Sequence, residues 1–134
     1  MSMKKIILFL FCICLFGISS YGQQEIVSED SNFISFELDS LVAELEPTGK
    51  SWLPFMKGKN VLTGLYILKA GENDQQRPHD TDEVYYVVSG KGKFKAGDKI
   101  VNIEKGSILF VKADVEHLFF DITEDTVLVV FFDQ

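Results

Sequence analysis

The chain has 134 residues, with 13 basic and 20 acidic side chains that give a formal net charge of −7. A chain of this length is expected to form one domain with a core that needs no disulfides. Its acidity disfavours nucleic acid and anionic membranes as partners.

Residues 1–22 are predicted to be a secretory signal peptide. Lys4 and Lys5 precede an apolar stretch over residues 6–18, and Ser20 and Gly22 provide small residues at cleavage spacing. The apolar stretch is shorter than the roughly 20 residues that span a bilayer. We therefore expect cleavage after Gly22, a secreted or periplasmic protein, and no stable membrane anchor.

The composition of residues 23–134 excludes cysteine chemistry. Both cysteines, Cys12 and Cys14, lie in the predicted signal peptide, so the mature protein has no thiol for disulfides or for metal sites based on cysteine. The two lysines of the signal peptide are also lost, which brings the net charge to −9.

The first part of the mature chain predicts one short helix. Residues 23–36 are polar and acidic and indicate a flexible lead-in, and residues 37–134 are assigned to a single domain. Residues 39–46 carry apolar side chains at helical spacing, with Asp39 as the expected cap and Pro47 ending the helix. Trp52 and Phe55 are interpreted as part of an apolar cluster for core or dimer packing rather than a ligand platform.

The rest of the chain predicts an all-β sandwich or barrel. Short stretches rich in Val, Ile, Phe and Tyr alternate with Gly and Asp turns, for example residues 89–92 and 96–98. The predicted strands are residues 61–68, 83–88, 93–95, 99–103, 108–111, 118–122 and 127–132.

Rare residue types mark the candidate site. Residues 23–134 contain two histidines, His79 and His117, and one arginine, Arg77. If residues 77–83 are extended, Arg77, His79 and Glu83 point to the same side of one strand. Tyr85 shares that face.

His117 is expected to meet His79 and Glu83 across the interior of a barrel. Two neutral imidazoles and one carboxylate are a facial ligand set for a divalent metal, with positions left open for water or substrate. Spacing alone also allows ordinary core or surface histidines, so both interpretations stay open at this point.

Two motifs extend this pattern. Gly71 is followed after five residues by Arg77-Pro78-His79, after three by Glu83 and after six by Gly90. Gly106 is followed after five residues by Lys112-Ala113-Asp114, after two by His117 and after three by Asp121. These spacings resemble the two motifs of the cupin family.

The resemblance implies a cupin double-stranded β-helix, a jelly-roll-like barrel that often forms homodimers, here with a short N-terminal helix. It implies His79, Glu83 and His117 as ligands of a divalent transition metal, whose identity stays open among iron, manganese, zinc, nickel, cobalt and copper. Asp121 is expected either to satisfy a loop or to orient the His117 imidazole from below.

One departure from the family pattern concerns Arg77, which stands in place of a histidine. A guanidinium offers no lone pair to a metal, so we expect three protein ligands, or a weak fourth from the amide oxygen of Gln76. Arg77 is expected either to hold a substrate carboxylate or phosphate, or to turn outward and pair with Asp80 or Glu72.

These residues lead to three functional hypotheses. The first is a metal-dependent dioxygenase or isomerase acting on a small anionic or hydroxylated substrate, with Arg77 and Tyr85 as substrate-binding residues. The second is a non-catalytic extracellular module that binds a sugar or an organic acid. The third is a scaffold that binds other proteins.

Overall fold

A computed structural model describes residues 32–134, and residues 35–134 form one compact unit. The predicted signal peptide and most of the lead-in lie outside the described residues. Within the described range, no helix is both long and apolar enough to cross a membrane. The elements are helix α1 (Leu38–Leu45), a 3₁₀ turn (Glu46–Thr48) and strands β1 (Trp52–Lys57), β2 (Val61–Leu68), β3 (Glu83–Ala96), β4 (Lys99–Glu104), β5 (Ile108–Val111) and β6 (His117–Asp133).

The strands form one antiparallel sheet in the order β1-β2-β6-β3-β4, with β5 also beside β3. Strands β3 and β6 pair along their lengths. The first part of β3 pairs with β5 and its second part pairs with β4. The two long strands therefore pass through both halves of the barrel. The start of β3 lies close to the β2–β3 loop and to the β5–β6 loop.

The core lies between the two halves. Tyr85 in the first part of β3 contacts Phe94 in its second part, and Tyr66 of β2 contacts Phe119 of β6. Alternation at the start of β3 buries Glu83, Tyr85 and Val87. The predicted all-β fold is confirmed.

Helix α1 packs on the outside of the sheet. Leu41 and Leu45 bury their side chains against Leu65 and Ile67 of β2. The helix begins after Glu37 and has no side-chain cap, so the expected cap Asp39 lies instead in the first turn. A carboxylate there still interacts favourably with the helix dipole.

Several predicted strand boundaries are wrong for identifiable reasons. The expected turn at residues 89–92 is part of β3, because Gly90 adopts φ 98° and the pairing with β6 shifts register there, so the strand bends without reversing. The two predicted strands at residues 118–122 and 127–132 are likewise one strand, β6. Strand β1 was not predicted, since Pro54 lies inside it at a register shift on the sheet edge.

Candidate metal centre

Three side chains converge at one end of the barrel. Glu83 is the first residue of β3, His117 is the first residue of β6, and His79 lies in the loop between β2 and β3. Glu83 and His117 are 1 % and 4 % exposed, and His79 is partly exposed. The candidate ligand atoms lie within 4.8 Å of one another, so the structure brings together the three residues expected from the sequence.

The distances among these atoms suit a shared metal ion. One oxygen of Glu83 lies 3.0 Å from Nε2 of His117, and the other lies 4.0 Å from Nε2 of His79. Ligand atoms held about 2.1 Å from one metal lie roughly 3 to 4 Å apart. A divalent ion would therefore need only small side-chain rotations.

A backbone group orients the His117 imidazole. Nδ1 of His117 donates a hydrogen bond to the carbonyl oxygen of Val115 at 2.7 Å. This bond leaves Nε2 directed at Glu83. Burial lowers the pKa of His117, but hydrogen bonds to Glu83 and Val115 outweigh burial and leave that pKa above its ordinary value. The orienting role that one interpretation gave to Asp121 belongs to Val115.

Asp121 itself points away from the site. Strand β6 bulges between Phe120 and Glu124, Asp121 adopts φ 48°, and the alternation of inward and outward side chains breaks there. The Asp121 carboxylate is 60 % exposed and lies 2.9 Å from Nζ of Lys93 on the outer surface. The expected position below His117 is wrong.

The loop that carries His79 is not the extended strand that the sequence predicted. Asp74 anchors this loop, because its carboxylate accepts hydrogen bonds from the Tyr66 hydroxyl, from Gln76 N at 3.0 Å and from Phe119 N at 2.8 Å. Asp74 was missed, since it lies in a polar stretch without periodicity.

A second contact ties this loop to the turn before β6. The carbonyl oxygen of His79 accepts a hydrogen bond from Asp114 N at 2.7 Å. Asp114 adopts φ 63°, which explains why the family pattern has glycine at this position and why an aspartate is tolerated. The two histidine-bearing segments are therefore joined by backbone.

Tyr85 lies at the centre of the site. Its hydroxyl lies 2.7 Å from Glu83, 3.0 Å from Nε2 of His117 and 3.0 Å from Oε1 of Gln76. Burial, followed by the hydrogen bond to Glu83, raises the pKa of Tyr85. The hydroxyl therefore stays protonated and donates to the nearest acceptor, the Glu83 carboxylate.

This donor assignment also decides the role of Gln76. The Nε2 atom of Gln76 is buried without a hydrogen-bond partner. Reversing the amide lets Nε2 donate to the Tyr85 oxygen, whose own proton goes to Glu83, and so removes the buried donor without a partner. Gln76 then presents nitrogen to the site, so the geometry favours three ligands over a fourth from Gln76.

A cavity of about 480 Å³ opens beside His79, one of the three candidate ligands. His79, Gln76 and Tyr85 line one part of it, whereas Arg77 is exposed and does not line it. Arg77 therefore lies outside the cavity wall, and its contact with a substrate anion stays a prediction. Among the ion pairs of residues 32–134, none joins Arg77 to Asp80 or Glu72, so the outward pairing is absent.

Comparisons with known proteins agree with this architecture. Residues 64–132 match the family described as Cupin domain. The uncharacterized protein SCO3923 of Streptomyces coelicolor is 44% identical over 98 residues, which cover 72% of this chain and 93% of that protein.

Solved structures show the same fold at lower identity. TT1209 from Thermus thermophilus aligns with a TM-score of 0.62 and 23% identity, covering 75% of this chain and 97% of that one. The DMSP lyase DddQ from Ruegeria pomeroyi aligns with a TM-score of 0.54 and 15% identity over 57% of this chain. The chain spans only 40% of that lyase, so the likeness concerns the fold.

Proposed function

Because this chain belongs to the cupin family, we propose that it is a metalloenzyme that binds a divalent transition metal through His79, Glu83 and His117. Its substrate is a small molecule bound in the adjoining cavity. One observation carries the proposal: three ligand atoms of suitable chemistry lie within 4.8 Å of one another beside a cavity of about 480 Å³.

The donor set suits a transition metal rather than calcium or magnesium, since two imidazoles accompany a single carboxylate. Three protein ligands leave coordination positions open. A metal bound there would polarise a substrate oxygen or activate dioxygen, the two kinds of chemistry expected from the sequence.

The Tyr85 hydroxyl is a polar group placed to orient a substrate. It lies 2.7 Å from Glu83 and 3.0 Å from His117, at the wall of the cavity. Its raised pKa keeps it protonated, so it acts as a hydrogen-bonding group toward a substrate oxygen rather than as an acid that gives up its proton. Val130 and Phe132 line the same cavity and exclude water from part of it.

Metal content is the test. Untagged protein saturated with each candidate metal and then desalted is analysed by inductively coupled plasma mass spectrometry, beside Glu83→Gln and His117→Ala. We expect close to one metal per chain in the wild type and an affinity reduced more than about 100-fold in both variants.

The matched control is Glu116→Gln, which changes an exposed carboxylate next to His117. Circular dichroism establishes that each variant is folded. The isosteric Glu83→Gln keeps the comparison valid if His117→Ala does not fold. Equal metal content in wild type, Glu83→Gln and Glu116→Gln would refute the proposed site.

A further inference from the structure

Three aromatic rings from different strands line the cavity beside the metal centre. Trp52 begins β1, Tyr66 lies in β2 and Phe132 lies near the end of β6. The Trp52 ring is inclined by 68° to Tyr66 and by 85° to Phe132, with centroids 6.5 and 5.7 Å away. Rings this steeply inclined form the walls of a corner rather than a stack. Trp52 packs against the core, as interpreted from sequence, and also lines this cavity.

This aromatic corner is held in place by the protein itself. A Cβ on Gly64 would lie 2.0 Å from the Trp52 ring, so the indole occupies the space that any other residue at position 64 would fill. The Tyr66 hydroxyl donates to Asp74. Phe132 also contacts His79, with ring centroids 5.2 Å apart. The corner is thus fixed before a ligand arrives and is continuous with a metal ligand.

The charge around the corner is one-sided. The described residues that line the cavity include the Asp80 carboxylate and neither lysine nor arginine. Asp74 places a further carboxylate behind Tyr66. In the corner itself an organic cation would meet these two carboxylates and the negative faces of aromatic rings, whereas an anion would meet neither lysine nor arginine. A divalent metal held by His79, Glu83 and His117 would attract the oxygen-bearing end of the same ligand.

We infer that the cavity binds an organic cation with an alkylated ammonium-like group, which lies in the corner of Trp52, Tyr66 and Phe132. The rest of the ligand extends toward His79 and Tyr85. This inference names the ligand class of the proposed metalloenzyme and rests on that proposal for the ligand's location. It replaces the anionic substrate that Arg77 suggested.

The protein carries its own probe, because Trp52 is the only tryptophan in the chain. Wild-type protein, both metal-loaded and stripped with a chelator, is titrated with choline. Parallel titrations use 3,3-dimethyl-1-butanol, a neutral molecule of the same shape, and 3,3-dimethylbutyrate, an anion. We expect saturable quenching by choline and about tenfold weaker binding of the neutral analogue in both forms. The anion should not bind the metal-free protein; in the loaded protein the metal itself would attract its carboxylate.

Variants separate the aromatic and the charge contributions. Calorimetry with choline should show binding lost in Trp52→Leu and weakened severalfold in Asp80→Asn, while Asp98→Asn, in the exposed turn after β3, behaves as wild type. Asp80 is exposed, so its variant keeps the test valid if Trp52→Leu does not fold.

Two outcomes would overturn the inference. One is equal or tighter binding of the neutral analogue, and the other is no saturable quenching by choline up to its solubility. Metal analysis of the same samples separates this failure from that of the proposed metal site. Choline binding by a protein that takes up no metal would refute only the proposed metal site. Full metal content without choline binding would refute only the inferred organic-cation ligand.

Discussion

Replacing Asp74 with alanine should loosen the loop that carries His79 and destabilise the domain. Asp74 accepts three hydrogen bonds, from the Tyr66 hydroxyl and from the backbone nitrogens of Gln76 and Phe119. A hydrogen bond to a charged group contributes about 1.5 to 3 kcal/mol when buried, and Asp74 is only partly buried. We therefore expect Asp74→Ala to lower the free energy of unfolding by about 3 kcal/mol.

For a domain near 100 residues, this loss corresponds to a melting temperature lower by roughly 12 to 20 °C, measured by circular dichroism without metal. Because the loop holds His79, metal affinity should fall about tenfold or more in the same variant. Asp98→Ala is the control for loss of an acidic side chain. A destabilisation of Asp74→Ala no larger than that of Asp98→Ala would refute the anchoring role.

Three further predictions concern positions away from the metal ligands. Gly64→Ala should displace the indole of Trp52, because the new Cβ would lie 2.0 Å from it. We expect the free energy of unfolding to fall by about 1 to 3 kcal/mol and the tryptophan emission to shift. Unchanged emission would contradict this. Asp114→Val should cost about 1 to 2 kcal/mol because of φ 63°, whereas Asp114→Gly should stay within about 0.5 kcal/mol in urea denaturation. The hydrogen bond from Ala70 N, followed by that from Lys69, lowers the pKa of Asp125 below its ordinary value of 3.8. The contribution of the Asp125 carboxylate to folding stability is therefore complete above pH 3.8 and is lost as the pH falls through the lowered pKa. Asp125→Asn should therefore be less stable than wild type at neutral pH, and the difference should close in acid; a difference independent of pH would refute this.

The three candidate metal ligands could be predicted because the spacing of the two motifs marks them, although only Glu83 and His117 lie at strand ends. His79 and Glu83 are four residues apart in sequence and close in space although His79 lies in a loop. Arg77 was placed on the same side only by assuming an extended strand. That assumption fails because Asp74 holds the loop through contacts distant in sequence, which no local pattern reveals.

The strands could be predicted where apolar residues alternate without interruption. Strand β1 was not predicted because it contains Pro54, and the location of Trp52 at the cavity was therefore missed as well. Asp121 was placed inside because period-two alternation was continued through a bulge that has no marked residue type. The signal peptide, the export and the homodimer stay predictions.

The central place of β6 has a consequence for how the chain reaches this fold. Strand β6 pairs with both β2 and β3, although it follows every other described strand in sequence, and Val61 pairs with Asp133. Most of the sheet therefore depends on contacts between distant residues, which form slowly. A nascent chain that still lacks β6 exposes the unpaired edges of β2 and β3, so the sheet is completed only once β6 has been synthesised.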